Sequence, residues 1–157
     1  MNRTKASLLA CGATLSLVAL VACGEGPLEI EPGALNTLPR TEESQDLGNS
    51  VTTAPTSWAL TAVDTVGDAE ARKTRGTFNV SFRNNTLNFV AFKYVLVFVD
   101  SSNIEVGRTA FAYGLGLGPD ERREAIGNFT LHAVETIAEA NRIEHLVVEL
   151  MLDPSSS

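Results

Sequence analysis

Few side chains in this 157-residue chain have the types and spacing that chemistry needs. His132, Glu135, Glu139 and His145 form the one grouping that can be drawn as a metal site. Zinc, however, is held by closely spaced His/Cys pairs or by HExxH on one helix, and neither spacing occurs here. Asp64 with Asp68, and Asp100 with Asn103, offer oxygen ligands in turns, but no EF-hand ligand array accompanies them. Gly114-Leu115-Gly116-Leu117-Gly118 has the look of a phosphate loop. A P-loop ends in Gly-Lys-Ser/Thr at a helix mouth, whereas Pro119-Asp120-Glu121 follows here and sets negative charge where phosphate would lie. The stretch is therefore expected to be a flexible connection. Nucleophilic catalysis needs a base beside the nucleophile, and there is no GxSxG and only two histidines. The expectation is a protein that is not an enzyme and that uses no cofactor or metal. Asn79-Val80-Ser81, Asn84-Asn85-Thr86 and Asn128-Phe129-Thr130 match the glycosylation sequon.

The two cysteines carry more information. Cys11 lies in an uncharged stretch from Ala6 to Ala22 that follows the basic Arg3 and Lys5, and Cys23 closes it. Seventeen uncharged residues broken by Gly12, Thr14 and Ser16 are short for a bilayer span of about 20 and suit a signal h-region. Leu20-Val21-Ala22-Cys23 resembles the lipobox of bacterial lipoprotein precursors. That resemblance implies cleavage between Ala22 and Cys23, a diacylglyceryl group on the Cys23 thiol and an acyl chain on the new amine. A single chain anchors only marginally, while two or three anchor stably. Gly24 rather than Asp at the next position points to the outer membrane where the host has two. Residues 1–22 are thus expected to leave with the signal peptide.

Without Arg3 and Lys5 the chain keeps 10 basic and 19 acidic side chains, a net of −9. Such a surface lacks the cationic face that nucleic acid or anionic headgroups require. With one cysteine left, no internal disulfide can form, so the fold depends on its core.

Residues 23–56 hold four of the six prolines, and all ten aromatic residues lie at position 58 or later. A stretch without aromatics offsets little ordering entropy by burial, so it is expected to be a flexible lipidated tether spanning roughly 30 Å. Residues 57–153 read as one domain, with 154–157 a disordered tail. Phe78, Val80 and Phe82 alternate with polar residues, as on a strand with one wet side. Leu87 to Val99 is the strongest strand, with Val90, Phe92, Tyr94, Leu96 and Phe98 on one face and Phe89, Ala91, Lys93, Val95, Val97 and Val99 on the other. Apolar on both faces, it is expected to be central and half-covered, and Phe92, Tyr94 and Phe98 are the candidate contact surface. Asn84-Asn85-Thr86 and Asp100-Ser101-Ser102-Asn103 read as turns. Six or seven short strands, with one short helix near residues 135–143, predict an all-β, immunoglobulin-like antiparallel sandwich.

The order of features is similar to that of FxLYD-type domains on bacterial surface lipoproteins. Gly76-Thr77-Phe78-Asn79-Val80 with Asn84 fits their opening, Leu96-Val97-Phe98-Val99-Asp100 occupies the naming motif, and Leu117-Gly118-Pro119-Asp120-Glu121 resembles their loop. Leu96 and Val99 stand where the naming Phe and Tyr would be. The match covers residues 75–131, and the resemblance implies an immunoglobulin-like fold and no catalytic residue. The expected function is a membrane-anchored envelope lipoprotein acting as a non-enzymatic binding or assembly module with an envelope protein partner. The rivals are a small-ligand or cation carrier and, last, a hydrolase. Oligomeric state is left open.

Overall fold

The computed structural model describes residues 33–48 and 50–152. Ala22, Cys23, the rest of the expected signal peptide, the first part of the expected tether and the 154–157 tail lie outside the described residues.

Two antiparallel sheets face each other. In the first, β4 (Lys73–Asn84) is central, flanked on one edge by β8 (Arg122–Leu131) and on the other by β3 (Thr56–Asp64) and β2 (Val51–Thr53); β1 (Arg40–Glu42) extends β3. In the second, β5 (Val90–Val99) is central. It has β9 (His145–Leu152) along one edge and β6 (Glu105–Arg108) and β7 (Tyr113–Leu117) along the other. A single helical turn, α1 (Ile137–Ala140), precedes β9 and lies within the span where a helix is expected. Thr136 and Glu139 close its first turn as a capping box, each side chain receiving the other's backbone N–H. The fold is an all-β sandwich, with nine strands among the described residues rather than six or seven.

The extra strands come from the expected tether. Residues 34–48 and 50–56 do not hang free; β1 and β2 join the first sheet, and Val51 and Thr53 are buried. Lack of aromatics misleads here because polar side chains do the ordering, by satisfying the exposed backbone of a sheet edge. Gln45 receives the Val148 N–H at 3.2 Å and donates to the Leu146 carbonyl at 3.1 Å, standing in for a strand beside β9. Glu42 receives the Trp58 indole N–H at 3.0 Å and the Leu146 N–H at 3.1 Å. The Arg40 guanidinium lies 4.9 Å from the centre of the Trp58 ring and donates to the Ile143 carbonyl.

A second correction concerns β5. Phe92, Tyr94 and Phe98 are not a contact surface; they point between the sheets and are almost wholly buried. Phe98 meets Phe129 at 4.4 Å and Trp58 at 5.4 Å between ring centres, and Phe82 meets Tyr94 at 4.7 Å and Phe92 at 5.3 Å. Side chains therefore fill the space where a carrier's pocket would lie. Alternation identifies the two faces of a strand but not which face is inward when both are apolar.

Third, Tyr113–Leu117 is a strand, not a loop. Its inward positions are Tyr113, Leu115 and Leu117, paired with Tyr94, Phe92 and Val90, so period two is kept. Its glycines lie on the outer side. A Cβ on Gly116 would come within 2.7 Å of the Phe89 ring, which occupies that space instead.

The sandwich has two distinct ends about 30 Å apart, the length of a ten-residue strand. At one, called the helix end, lie α1 and the turns at 65–72 and 100–104. The chain is fastened there: Asn36 N–H donates to Asn141 Oδ1 at 2.9 Å and Asn141 Nδ2 donates to the Ala34 carbonyl at 2.7 Å. At the other, the corner end, lie the turns at 85–89 and 118–121 and the end of β9, where Leu152 pairs with Phe92.

Candidate functional site

The corner end is built around one buried polar side chain. Asn84, the last residue of β4, has no exposed surface, so its amide must be fully used. Nδ2 donates to the carbonyls of Asn88 at 2.7 Å and Gly118 at 2.9 Å. Oδ1 receives the Thr86 N–H at 2.9 Å and the Thr86 hydroxyl at 2.7 Å. Backbone bonds from Asn84 to Glu121 and from Asp120 to Thr86 complete the lock. One amide thus clamps the β4–β5 turn to the β7–β8 turn, joining the two sheets.

This rigid frame displays side chains that folding alone does not require. Leu87 is 88% exposed and Phe89 is 65% exposed, although the backbone around them is fixed. At the same end a cleft of about 310 Å³ opens on the outer face of the first sheet, lined by Thr52, Thr53, Ser81, Arg83, Asp120 and Arg122, whereas Phe89 lies against Gly116 on the outer side of the second. Arg83 donates to Asp120 at 2.8 Å, and Arg122 Nε donates to Ser81 Oγ at 2.8 Å. Asp120 sits in the left-handed region at φ 52°, a conformation aspartate tolerates better than most residues. Glu121 receives the Gly118 N–H at 2.6 Å and the Arg123 guanidinium, which hold its carboxyl below the usual glutamate range.

The outer face of the second sheet looks different. Val95, Val97 and Val99 are buried there beside Val147, beneath an ion-pair network. Arg108 on β6 binds Glu105 on its own strand and reaches Glu149 on β9 at 3.3 Å, crossing over β5. The hydrogen bond from Arg108 lowers the Glu105 carboxyl, and the same bond drives the Arg108 guanidinium further towards its charged form. The second face of β5 is thus covered by its own neighbours.

The grouping that suggested metal does not assemble. Glu135 pairs with Arg72, Glu139 caps α1, and His145 contacts Glu42 at 3.3 Å on an exposed edge. His132 lies at the end of β8 in a shallow cleft with Phe111, Tyr113 and Asn128. Asp64 pairs with Arg75, Asp68 receives the Ala71 N–H, and Asp100 receives the N–H groups of Ser102 and Ile104. Those bonds, that from Ile104 foremost, hold the Asp100 carboxyl low. Tyr94 and Tyr113 stack at 5.2 Å, and burial, with Tyr113 alongside, pushes the Tyr94 hydroxyl up to about 12.

Sequence reasoning missed the cleft. Arg83 and Arg122 are 39 positions apart and meet only through the β4–β8 register, and the sole local signal was the turn at Asn84-Asn85-Thr86.

No family model matches the chain, and no curated protein matches it. Among solved structures it is similar to a DUF1425 family member from Shewanella sp. pv-4. Identity is 11%, the match covers 71% of this chain and 97% of the other, and the TM-score is 0.34. At that score the likeness carries no argument about function.

Proposed function

We propose that the chain is a lipid-anchored envelope protein whose sandwich is a non-enzymatic binding module, moored at the helix end and working at the corner end. The observation that carries this reading is the path of the chain. Asn141 fastens Ala34 and Asn36 at the helix end, so only residues 24–33 separate the domain from Cys23. Even fully extended, that stretch covers less than about 40 Å. With Leu20-Val21-Ala22-Cys23 as a lipobox, lipid on Cys23 moors the domain by its helix end on a leash about as long as the sandwich and leaves the corner end unattached. The corner end carries exposed Leu87 and Phe89 and, on the first sheet, Arg83 and Arg122, residue types that protein contact sites use as apolar anchors and as guanidinium contacts. The filled interior favours a module that binds on its surface over a carrier.

Cys23→Ala tests the mooring. The variant is expected to leave the membrane fraction and to lose the mass of its lipid chains, while its thermal unfolding stays as it was. An unchanged membrane fraction contradicts the anchor.

A further inference from the structure

The cleft at the corner end has an unusual charge arrangement. Thr52, Arg83 and Arg122 lie in direct register across β2, β4 and β8, so two arginines leave neighbouring strands on the same face, Arg83 reaching Asp120 and Arg122 reaching Ser81. Like charges directly opposite each other destabilise a sheet unless something neutralises them. Asp120 answers Arg83. Arg122 has no carboxylate within ion-pair distance among the described residues, and only its Nε is hydrogen-bonded there, to Ser81. Among the described residues its two terminal nitrogens, which carry four N–H donors, have no hydrogen-bond partner on this exposed side chain. Glu124 is opposite Ser81 in register on the same face, yet among the described residues it pairs with neither arginine. Glu121 is committed to Gly118 and Arg123. Ser81 is buried at the cleft wall, so its hydroxyl belongs to the frame and not to mobile surface.

We propose that this cleft is an oxyanion site that takes a phosphate or carboxylate group. The terminal N–H pair of Arg122 grips two oxygens side by side, a geometry that guanidinium offers and ammonium does not. Arg83 supplies the second positive charge, and the hydroxyls of Ser81 and Thr52 border the bound group. The inference rests on the reading of the corner as the working end, but it is independent of the lipid on Cys23.

Calorimetric titration of the full-length chain in detergent, with inorganic phosphate and separately with acetate at low salt, tests it. At least one anion is expected to bind with a Kd on the order of 1 mM. Arg122→Gln and Arg83→Gln are each expected to weaken it at least about tenfold, with Arg122→Lys restoring only part. Whichever anion binds more tightly decides between the two groups. A second readout needs no substitution: phosphate is expected to slow modification of Arg122 and Arg83 by phenylglyoxal while leaving Arg108 unprotected. The proposal is overturned if neither anion binds, if Arg122→Gln binds like the parent chain, or if all three arginines react at rates that phosphate does not change. Failure of the anchor shows separately, in the intact mass of the same preparation.

Discussion

Two arginine patches, one on the outer face of each sheet, are built from the same residue types and have opposite characters. On the second sheet Arg108 stands between Glu105 and Glu149 and covers the valines of β5. Its charge is answered on both sides. On the first sheet Arg83 pairs with Asp120 while Arg122 has no ion-pair partner among the described residues, and both line an open cleft. A guanidinium saturated by the fold closes a surface, while one left with free donors beside a buried hydroxyl leaves it able to bind. The difference depends on register: Arg108 crosses β5 to meet Glu149, whereas Arg122 lies opposite Arg83 and meets no acid among the described residues.

The comparison can be broken most severely at Asn84. Asn84→Ala strands the carbonyls of Asn88 and Gly118 and the Thr86 donors, and about 2–4 kcal/mol of stability should go with them. The open patch should lose its anion affinity with its frame. Urea unfolding measures the first effect and calorimetry the second; a variant as stable as the parent contradicts the lock. Next comes the closed patch. Val97→Ala removes two buried methyl groups, and a loss of about 1–3 kcal/mol is expected, with no change in anion binding. Reduced binding in that variant would mean the patches are coupled.

Charge substitutions sharpen the contrast with smaller effects. Arg108→Gln is expected to lower the unfolding temperature, more at low salt than at high, without touching anion binding. Arg122→Gln should do the reverse, weakening binding while stability shifts by less than about 0.5 kcal/mol. Equal behaviour of the two variants in both assays would erase the distinction.

The pattern in sequence made the sandwich legible, because Phe78, Val80 and Phe82 alternate with polar residues and β5 is an unbroken apolar run. It could not say which face of β5 looks inward, since Val95, Val97 and Val99 are as apolar as Leu96 and Phe98. Nor could it show that Gln45 and Glu42 would bind the edge of β9 from more than 100 positions away. The turn at Asn84 was legible as a turn, but the burial of its amide depends on β7 and β8 arriving beside it. Arg122 gave no signal at all, because its place opposite Arg83 is a property of the β4–β8 register. Local chemistry can be read along the chain; a site made by register cannot.

The smallest expected effect is on acid stability, and both patches contribute to it. Glu105 in the closed patch and Glu121 at the open corner are held below their ordinary value in the fold. Each therefore stabilises the fold above the unfolded glutamate value of about 4.3, and loses that contribution as pH falls through its lower folded value. The unfolding temperature is expected to stay level from neutral pH to about pH 5 and then decline. A rise on acidification would contradict both assignments.

One arginine patch is closed by the fold and the other is open. Arginine side-chain N–H resonances of the full-length protein, followed during a phosphate titration, test it most directly. The signals of Arg122 and Arg83 are expected to move in a saturable way while that of Arg108 stays where it is. Movement of Arg108 alongside Arg122, or no movement of either, contradicts it.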